Sequence, residues 1–194
     1  MTISTQLFEG KLIRLGPIDH DKDPDVISKW THDPEYLRML SLEPARPLSP
    51  AQVKKKLEKI EKAVEEEKNT FYFTIRRQSV ESEENDRLVG FARFYWIEWN
   101  HGVGRLQLGI GDPRDRGLGY GTETLSMLLR YGFEELNLFA VRASIQEYNS
   151  IAMKLFTQFG FIEEARQREA ILRDGRRWDL LHVGILRNEW EART

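Results

Sequence analysis

The stretch Asp115–Glu123, DRGLGYGTE, places glycines at positions 117, 119 and 121 between two periodic patterns. Upstream, RLQLGI is typical of a strand, and downstream Leu125, Leu128 and Leu129 fall on one face of a helix predicted over Thr122–Leu136. Glycines at such a junction let backbone N–H groups approach an anion, and the helix N-terminus adds unpaired donors and partial positive charge. The pattern therefore predicts a phosphate-binding turn in a fold that mixes strands and helices.

The glycine spacing distinguishes between kinds of phosphate site. The dinucleotide fingerprint G-x-G-x-x-G fails because Thr122 stands where the third glycine belongs, and the Walker pattern fails for want of Gly-Lys-Ser/Thr. Neither NAD nor ATP is favoured. A tight turn without a ligand remains open on the glycines alone.

Composition limits the classes of protein and of partner. A chain of 194 residues with 40 % hydrophobic and 31 % charged residues is expected to form one domain over 1–194. The formal net charge of -2 implies neither nucleic acid nor an acidic membrane surface as partner. No apolar run is long enough for a signal peptide or a membrane span, so a cytoplasmic location is expected.

Cysteine and histidine usage bears on metals and nucleophiles. The sequence has no cysteine, which excludes disulfides, zinc-thiolate sites and thiol nucleophiles and fits a reducing compartment. His20, His32 and His182 are scattered without metal-ligand spacing, so no metal is expected.

The remaining patterns predict the other elements. Strands are expected over 11–15, 71–76, 88–99 and 140–145, and a polar turn, QSVESEENDR, joins the second and third of them. An amphipathic helix is predicted after the N-cap Ser49, and a short helix begins after Asn149 and ends at Gly160. Asp174-Gly175 marks a terminal hairpin.

Together, QLGIGDPRDRGLGYGTETL and the downstream NSIAMKLFTQFGF resemble the GNAT family of N-acetyltransferases. The resemblance extends from KLIRLGPI to GRRWDLLHVGILRNEW and is greatest to the branch with the ribosomal-protein alanine N-acetyltransferases and related small-amine enzymes. The family motif R/Q-x-x-G-x-G/A corresponds to Arg116, Gly119 and Gly121. The resemblance implies an α/β fold with a central, mostly antiparallel twisted sheet of about seven strands flanked by helices.

The resemblance also implies acetyl-CoA as co-substrate, without a metal. Backbone groups of Leu108, Gly109 and Ile110 are expected to hold the pantetheine arm. Asn149 is expected to face that arm, a role compatible with capping the helix that follows. The Arg116 guanidinium is expected to add a fixed cation. The N–H groups expected to hold the pyrophosphate belong to Arg116, Gly117, Leu118, Gly119, Tyr120, Gly121 and Thr122.

The catalytic groups are where the sequence departs from the family. Acetyl transfer needs a neutral amine, a polarised thioester carbonyl and a proton for the departing thiolate. Phe156 stands where the family commonly has a tyrosine acid, and Arg105 stands where many relatives have a carboxylate. The candidates to replace the missing acid and base are Tyr148, Ser150 and Glu98. Each also has a structural interpretation: Tyr148 as a packing residue, Ser150 as a first-turn helix residue and Glu98 as a solvated charge.

The acceptor side is implied by the resemblance to lie between the Trp30–Leu42 region and the last hairpin. Tyr36, Arg38 and Met39 are expected to line it, and Arg38 disfavours a polyamine by like-charge repulsion. A peptide N-terminus, a small amine, an amino acid and an amino sugar remain open as acceptors, and so does a homodimer. A non-catalytic acyl-CoA-binding sensor is the competing interpretation.

Overall fold

In the computed structural model, which describes residues 6–78 and 86–193, one seven-stranded sheet has the order β1-β2-β3-β4-β5-β7-β6. Only β4 and β5 pair in parallel among these strands. The strands are β1 (Ile13–Gly16), β2 (Phe71–Arg77), β3 (Leu88–Glu98), β4 (Val103–Ile110), β5 (Ala140–Gln146), β6 (Ile162–Arg173) and β7 (Arg176–Leu186). The predicted mixed, mostly antiparallel fold is confirmed.

Two helices begin at the N-caps that the sequence predicted. Ser49 forms a capping box with Gln52, and Asn149 accepts from the N–H of Ala152, so both predicted N-caps are confirmed. The helices are α1 (Asp23–Trp30), α2 (Pro34–Leu40), α3 (Pro50–Glu67), α4 (Tyr120–Arg130), α5 (Ser150–Gln158) and α6 (Arg187–Glu191). Residues 79–85 of the predicted turn QSVESEENDR lie outside the described residues.

The two faces of the sheet have different coverings. Leu106, Leu125 and Leu128 belong to the main core, which α4 and α5 build on one face. A smaller cluster around Trp30, Tyr36 and Leu88 packs α1 and α2 on the other face. The two coverings divide the sheet into an α4 face and an α2 face, which the rest of the description uses.

The predicted helix over Thr122–Leu136 is interrupted. It begins two residues earlier, at Tyr120, and α4 gives way after Arg130 to a π-helical turn in which the Leu136 N–H donates to the Tyr131 carbonyl at 3.0 Å. A side chain on Gly132 would approach the Phe94 ring to 2.9 Å, so the turn packs closely on the sheet. The wider turn fits this tight packing, which helical periodicity does not reveal.

The parallel strands β4 and β5 pair only at their first residues. Their last register pair is Arg105 with Arg142, although β4 continues to Ile110 and β5 to Gln146. We call the opening between Leu106–Ile110 and Ala143–Gln146 the fork. It leaves one edge of β4 without a strand partner in the middle of the sheet.

Candidate active site

The free edge of β4 carries backbone groups that face the fork. The Gly111 N–H donates to the Val89 carbonyl at 2.9 Å, which fixes the alternation of the antiparallel ladder with β3. The N–H and C=O groups of Leu108 and Ile110 therefore point away from β3. Gly109, predicted to join them, has its backbone groups turned towards β3 by the same alternation.

Gly109 is instead required for close packing. A Cβ at this position would lie 2.7 Å from Leu40 Cδ2, on the α2 face. A Cβ on Gly111 would overlap the Trp30 ring at 2.0 Å. The two glycines of LGIG therefore let α1 and α2 lie directly on β4.

The glycine loop presents a run of unpaired donors. Gly117 and Gly119 have φ values of 78° and 89°, which favour glycine, and Gly119 is the N-cap of α4. Among the described residues, six consecutive N–H groups have no hydrogen-bond acceptor, and they lie at the positive end of α4. They belong to Gly117, Leu118, Gly119, Tyr120, Gly121 and Thr122.

Gly121 leaves space beside this run. A Cβ on Gly121 would lie 3.7 Å from Leu155 and 3.9 Å from Leu108, which is ordinary contact. Packing within the chain therefore does not demand a glycine there. The open space is what a phosphate close to the helix N-terminus requires.

Arg116 makes hydrogen bonds to other groups of the protein. Its Nη2 donates to Asp33 Oδ2 and to the Gly111 carbonyl, both at 2.9 Å, and its N–H donates to the Pro113 carbonyl at 3.2 Å. The fixed cation expected for the phosphate site thus pairs with the N-cap of α2. Arg116 joins the loop to α2.

Two carboxylates hold the segment that precedes the glycines. Arg87 makes two hydrogen bonds to Asp115, at 2.8 and 2.7 Å, which join the start of β3 to the loop. Asp112 accepts from the N–H and the guanidinium of Arg114, and these bonds lower its pKa to about 2. The loop is therefore fixed immediately before the glycines.

The C-terminal end of α2 spans the fork. The last three carbonyls of the helix, Arg38–Leu40, accept in order from the Tyr148 hydroxyl at 2.9 Å, from Asn149 Nδ2 at 3.3 Å and from Gln107 Nε2 at 2.7 Å. Gln107 lies on β4, whereas Tyr148 and Asn149 follow β5. Carbonyls that a helix end leaves unpaired thus hold the two sides of the fork together.

The last hairpin closes over the same region. Arg173 Nη2 donates to the carbonyls of Ser41, Leu42 and Glu43 at 3.2, 3.1 and 2.9 Å. Arg38 and Asp174 form an ion pair of 3.4 Å at the hairpin tip. The structure therefore brings together the two segments expected to form the acceptor side.

The predicted catalytic candidates are dispersed. The Tyr148 proton is directed to the Arg38 carbonyl, and Ser150 is exposed at the first position of α5. Glu98 pairs with Val103 at the closed end, five residues from Leu108 along β4, which corresponds to roughly 16 Å of strand.

Among the residues expected to line the acceptor side, Tyr36 is buried against Trp30, and burial raises the pKa of its phenol far above the ordinary value. It packs and does not line an open surface. At the position of the usual family acid, Phe156 is buried against Phe161, with ring centroids 4.8 Å apart. A phenyl ring there belongs to the core.

Several polar residues on the α2 face were not predicted from the sequence. Gln107 bridges Arg93 Nε, at 2.9 Å, and the end of α2. Ser144 Oγ and His182 Nδ1 lie 3.0 Å apart on paired residues of β5 and β7. Period two in RLQLGI already separates Gln107 from the apolar residues, whereas the Ser144–His182 contact needs long-range register.

Neither a metal site nor a membrane-spanning helix is found among the described residues. Over 6–78 and 86–193, no three His, Cys, Asp or Glu side chains are grouped so as to hold a metal ion. Within the same residues, no helix has the length and apolar character to cross a membrane.

Comparison with known proteins places this geometry in a family. The acetyltransferase (GNAT) domain profile matches residues 13–162. An uncharacterized N-acetyltransferase, p20 of Bacillus licheniformis, is 27 % identical over 176 residues, which cover 87 % of this chain and 90 % of that protein. The putative ribosomal N-acetyltransferase YdaF of Bacillus subtilis is 32 % identical over only 76 residues, 39 % of this chain and 42 % of that protein, so the branch has weak support.

Solved structures agree on the fold. The spermidine N-acetyltransferase from Vibrio cholerae, in complex with CoA and spermine, superposes with a TM-score of 0.77 at 20 % identity, covering 92 % of this chain and 98 % of that chain. The glycine loop, the fork and the matched profile agree: the chain belongs to the GNAT family of N-acetyltransferases, whose co-substrate is acetyl-CoA.

Proposed function

We propose that this protein transfers the acetyl group of acetyl-CoA directly to a primary amine, either of a small molecule or of a peptide N-terminus. The observation that carries the proposal is the run of six unpaired N–H groups at α4, next to the free edge of β4. The Vibrio cholerae relative is named for an amine acceptor, spermidine, which supports an amine as substrate.

The chain offers groups for both the pyrophosphate and the pantetheine arm of the co-substrate. The N–H groups of Gly117–Thr122 bind the pyrophosphate, with Gly121 leaving it space. The edge groups of Leu108 and Ile110 pair with the amides of the pantetheine arm in the manner of an added strand. Arg116 acts as a positioning residue, since its guanidinium is held by Asp33 and by the carbonyls of Ile110 and Gly111.

The chemistry follows from what the chain offers. Acetyl-CoA supplies an activated thioester. With no cysteine in the sequence, no thiol can carry the acetyl group in between, which favours direct attack by the amine. A backbone N–H on the β4 edge polarises the carbonyl. The new C–N bond forms as the C–S bond of the thioester breaks, and the Ser144–His182 pair, on the α2 face of the second strand of the fork, accepts the amine proton. The departing CoA thiolate takes its proton from solvent.

Phe156 and Arg105 support a second candidate, an acyl-CoA-binding sensor without catalysis. The sensor predicts binding of acetyl-CoA without thiol release for any amine. The transferase predicts both.

The test combines titration calorimetry with acetyl-CoA and a thiol-release assay across amines and N-terminal peptides. Gly121→Leu should reduce acetyl-CoA affinity by at least 10-fold, because its side chain enters the space beside the free N–H groups. Ser126→Leu, on an exposed part of the same helix, is the matched control. Undiminished affinity in Gly121→Leu with an unchanged melting temperature would remove the pyrophosphate assignment.

A further inference from the structure

The α2 face of the sheet beside the fork carries two arginines, at diagonal positions of β3 and β4. Arg105 is the last residue of β4 that pairs with β5, so it lies where the fork opens. Arg93 on β3 is opposite Gln107, the next residue of β4 on the same face. The face opposite to these side chains carries Leu106 in the main core. Both guanidinium groups therefore lie on the acceptor side of the β4 edge.

Their positive charge is not neutralised. Arg93 donates to the neutral Gln107 and lies 4.8 Å from the Tyr95 ring centroid, and Arg105 lies 5.5 Å from that of Trp96. Within 6–78 and 86–193, neither has a carboxylate at ion-pair distance. Both residues are half-buried, where a guanidinium without an anionic partner is unfavourable.

Neighbouring groups do not offset this charge. Arg142, opposite Arg105 on β5, already pairs with Glu164 at 2.8 Å. Tyr72 lies opposite Arg93 on β2, and burial raises the pKa of its phenol well above the ordinary value, so it stays neutral. Glu98 shares the face at the closed end but is not paired with Arg105.

The charged residues that line a groove next to the C-terminal end of α2 are also mainly cations. The groove, of about 400 Å³, begins at Leu37 and Ser41, where α2 ends. Its charged lining residues are Glu43, Arg46, Lys55, Lys56 and Lys59. Four cations against one carboxylate favour an anionic molecule and disfavour a polycation.

We propose that the acceptor is a primary amine that also carries an anionic group, a carboxylate or a phosphate, bound by Arg105 and Arg93. This inference rests on the proposed acetyl transfer and specifies its substrate class. The anion supplies the partner that both arginines lack, while the amine extends towards the open part of the fork. Planar guanidinium groups suit carboxylate and phosphate oxygens equally.

The experiment uses acceptors that differ only in the anion. O-Phosphoethanolamine is compared with ethanolamine, β-alanine with β-alaninamide, and spermidine serves as the polycation. Thiol release gives kcat/KM at matched concentrations of neutral amine. We expect at least a 10-fold preference for one or both anionic members, with spermidine used less well than the neutral amines. A preference for phosphate or for carboxylate identifies the anion.

Variants assign the preference to the arginines. Arg105→Gln and Arg93→Gln should each reduce the anionic-to-neutral ratio about 10-fold while acetyl-CoA binding is kept, and Arg105→Lys should restore part of it. Arg130→Gln, at the end of α4 on the opposite face of the sheet, is the matched control and should keep the ratio. If one glutamine variant fails to fold, the other still tests the assignment.

Binding measurements distinguish failure of the anion-site inference from failure of the proposed acetyl transfer. The CoA complex is titrated with each pair of acceptors, which needs no turnover. Equal or weaker binding of the anionic members, or a ratio unchanged in both glutamine variants, overturns the inference. Tighter binding of the anionic members without acetylation of any amine upholds the anion site and overturns the proposed transfer.

Discussion

At the scale of single residues, Tyr148 and His182 have opposite surroundings. The Tyr148 hydroxyl donates to the Arg38 carbonyl, and its ring meets Trp178 edge-on at 5.5 Å. The His182 ring contacts Ser144 on the α2 face of the fork. Tyr148 therefore has a structural partner for its proton, whereas His182 and Ser144 form a polar pair beside the fork.

Tyr148→Phe should raise the KM for the acceptor several-fold and change kcat by less than about twofold, because it loosens the end of α2 and removes no reacting group. His182→Gln should instead lower kcat by about 100-fold and leave the KM nearly unchanged, because it removes the proposed proton acceptor. Steady-state kinetics over a pH series distinguish them. A large loss of kcat in Tyr148→Phe, with the basic limb of the pH profile abolished, would make Tyr148 the acid.

At the scale of elements, α4 holds the first strand as well as the proposed phosphate site. The Glu123 carboxylate accepts from the N–H groups of Lys11, Leu12 and Ile13 at 2.7, 2.8 and 2.9 Å. A side chain on Gly10 would overlap this carboxylate at 2.6 Å. The first turn of α4 is thereby fixed to the start of β1, and its N–H groups remain available for a ligand.

Glu123→Gln should lower the free energy of unfolding by about 1–3 kcal/mol, because an amide presents one acceptor oxygen to three donors and loses the charge. Urea denaturation measures the change. Glu134→Gln, exposed after the same helix, is the control and should stay within about 0.5 kcal/mol of the parent protein. Equal stability of the two variants would show that the N–H groups of Lys11, Leu12 and Ile13 form hydrogen bonds with water when the carboxylate is lost.

At the scale of the whole molecule, three carboxyl groups in separate parts of the chain have lowered pKa values. Hydrogen bonds from Arg114 lower the pKa of Asp112 to about 2. Backbone N–H groups of Asp21 and Lys22 lower the pKa of Asp19, and the N–H of Glu169 with Arg166 lowers that of Asp179. A carboxyl whose pKa is lower in the folded than in the unfolded chain stabilises the fold above its unfolded pKa and loses that contribution as the pH falls.

The melting temperature should therefore fall as the pH drops from about 4 towards 2, the interval over which Asp112 becomes protonated in the folded state. Asp112→Asn should lower the melting temperature at pH 7 and make the curve flatter over that interval. Calorimetric scans at closely spaced pH values provide the measurement. An unchanged slope in Asp112→Asn would assign the acid sensitivity to other groups.

Helix caps, strand alternation and glycine positions are local properties, so they were sufficient to predict most of the strands, the helices after Ser49 and Asn149, and the proposed cofactor loop. Ser49, Asn149 and the Asp174-Gly175 turn are confirmed where the pattern predicted them. The π-helical turn after α4 was not predicted, because it fits packing against Phe94 on another strand.

Which side chains share the α2 face depends on contacts between distant parts of the chain. The separation of β4 from β5 after Arg105, the ion pair of Arg116 with Asp33 and the placement of Arg93 and Arg105 on one face all depend on strand register and on where α2 lies. These contacts join residues far apart along the chain. Local propensity is the same whichever partner such residues meet, so only the folded arrangement distinguishes a charge that is paired from one that can bind a substrate.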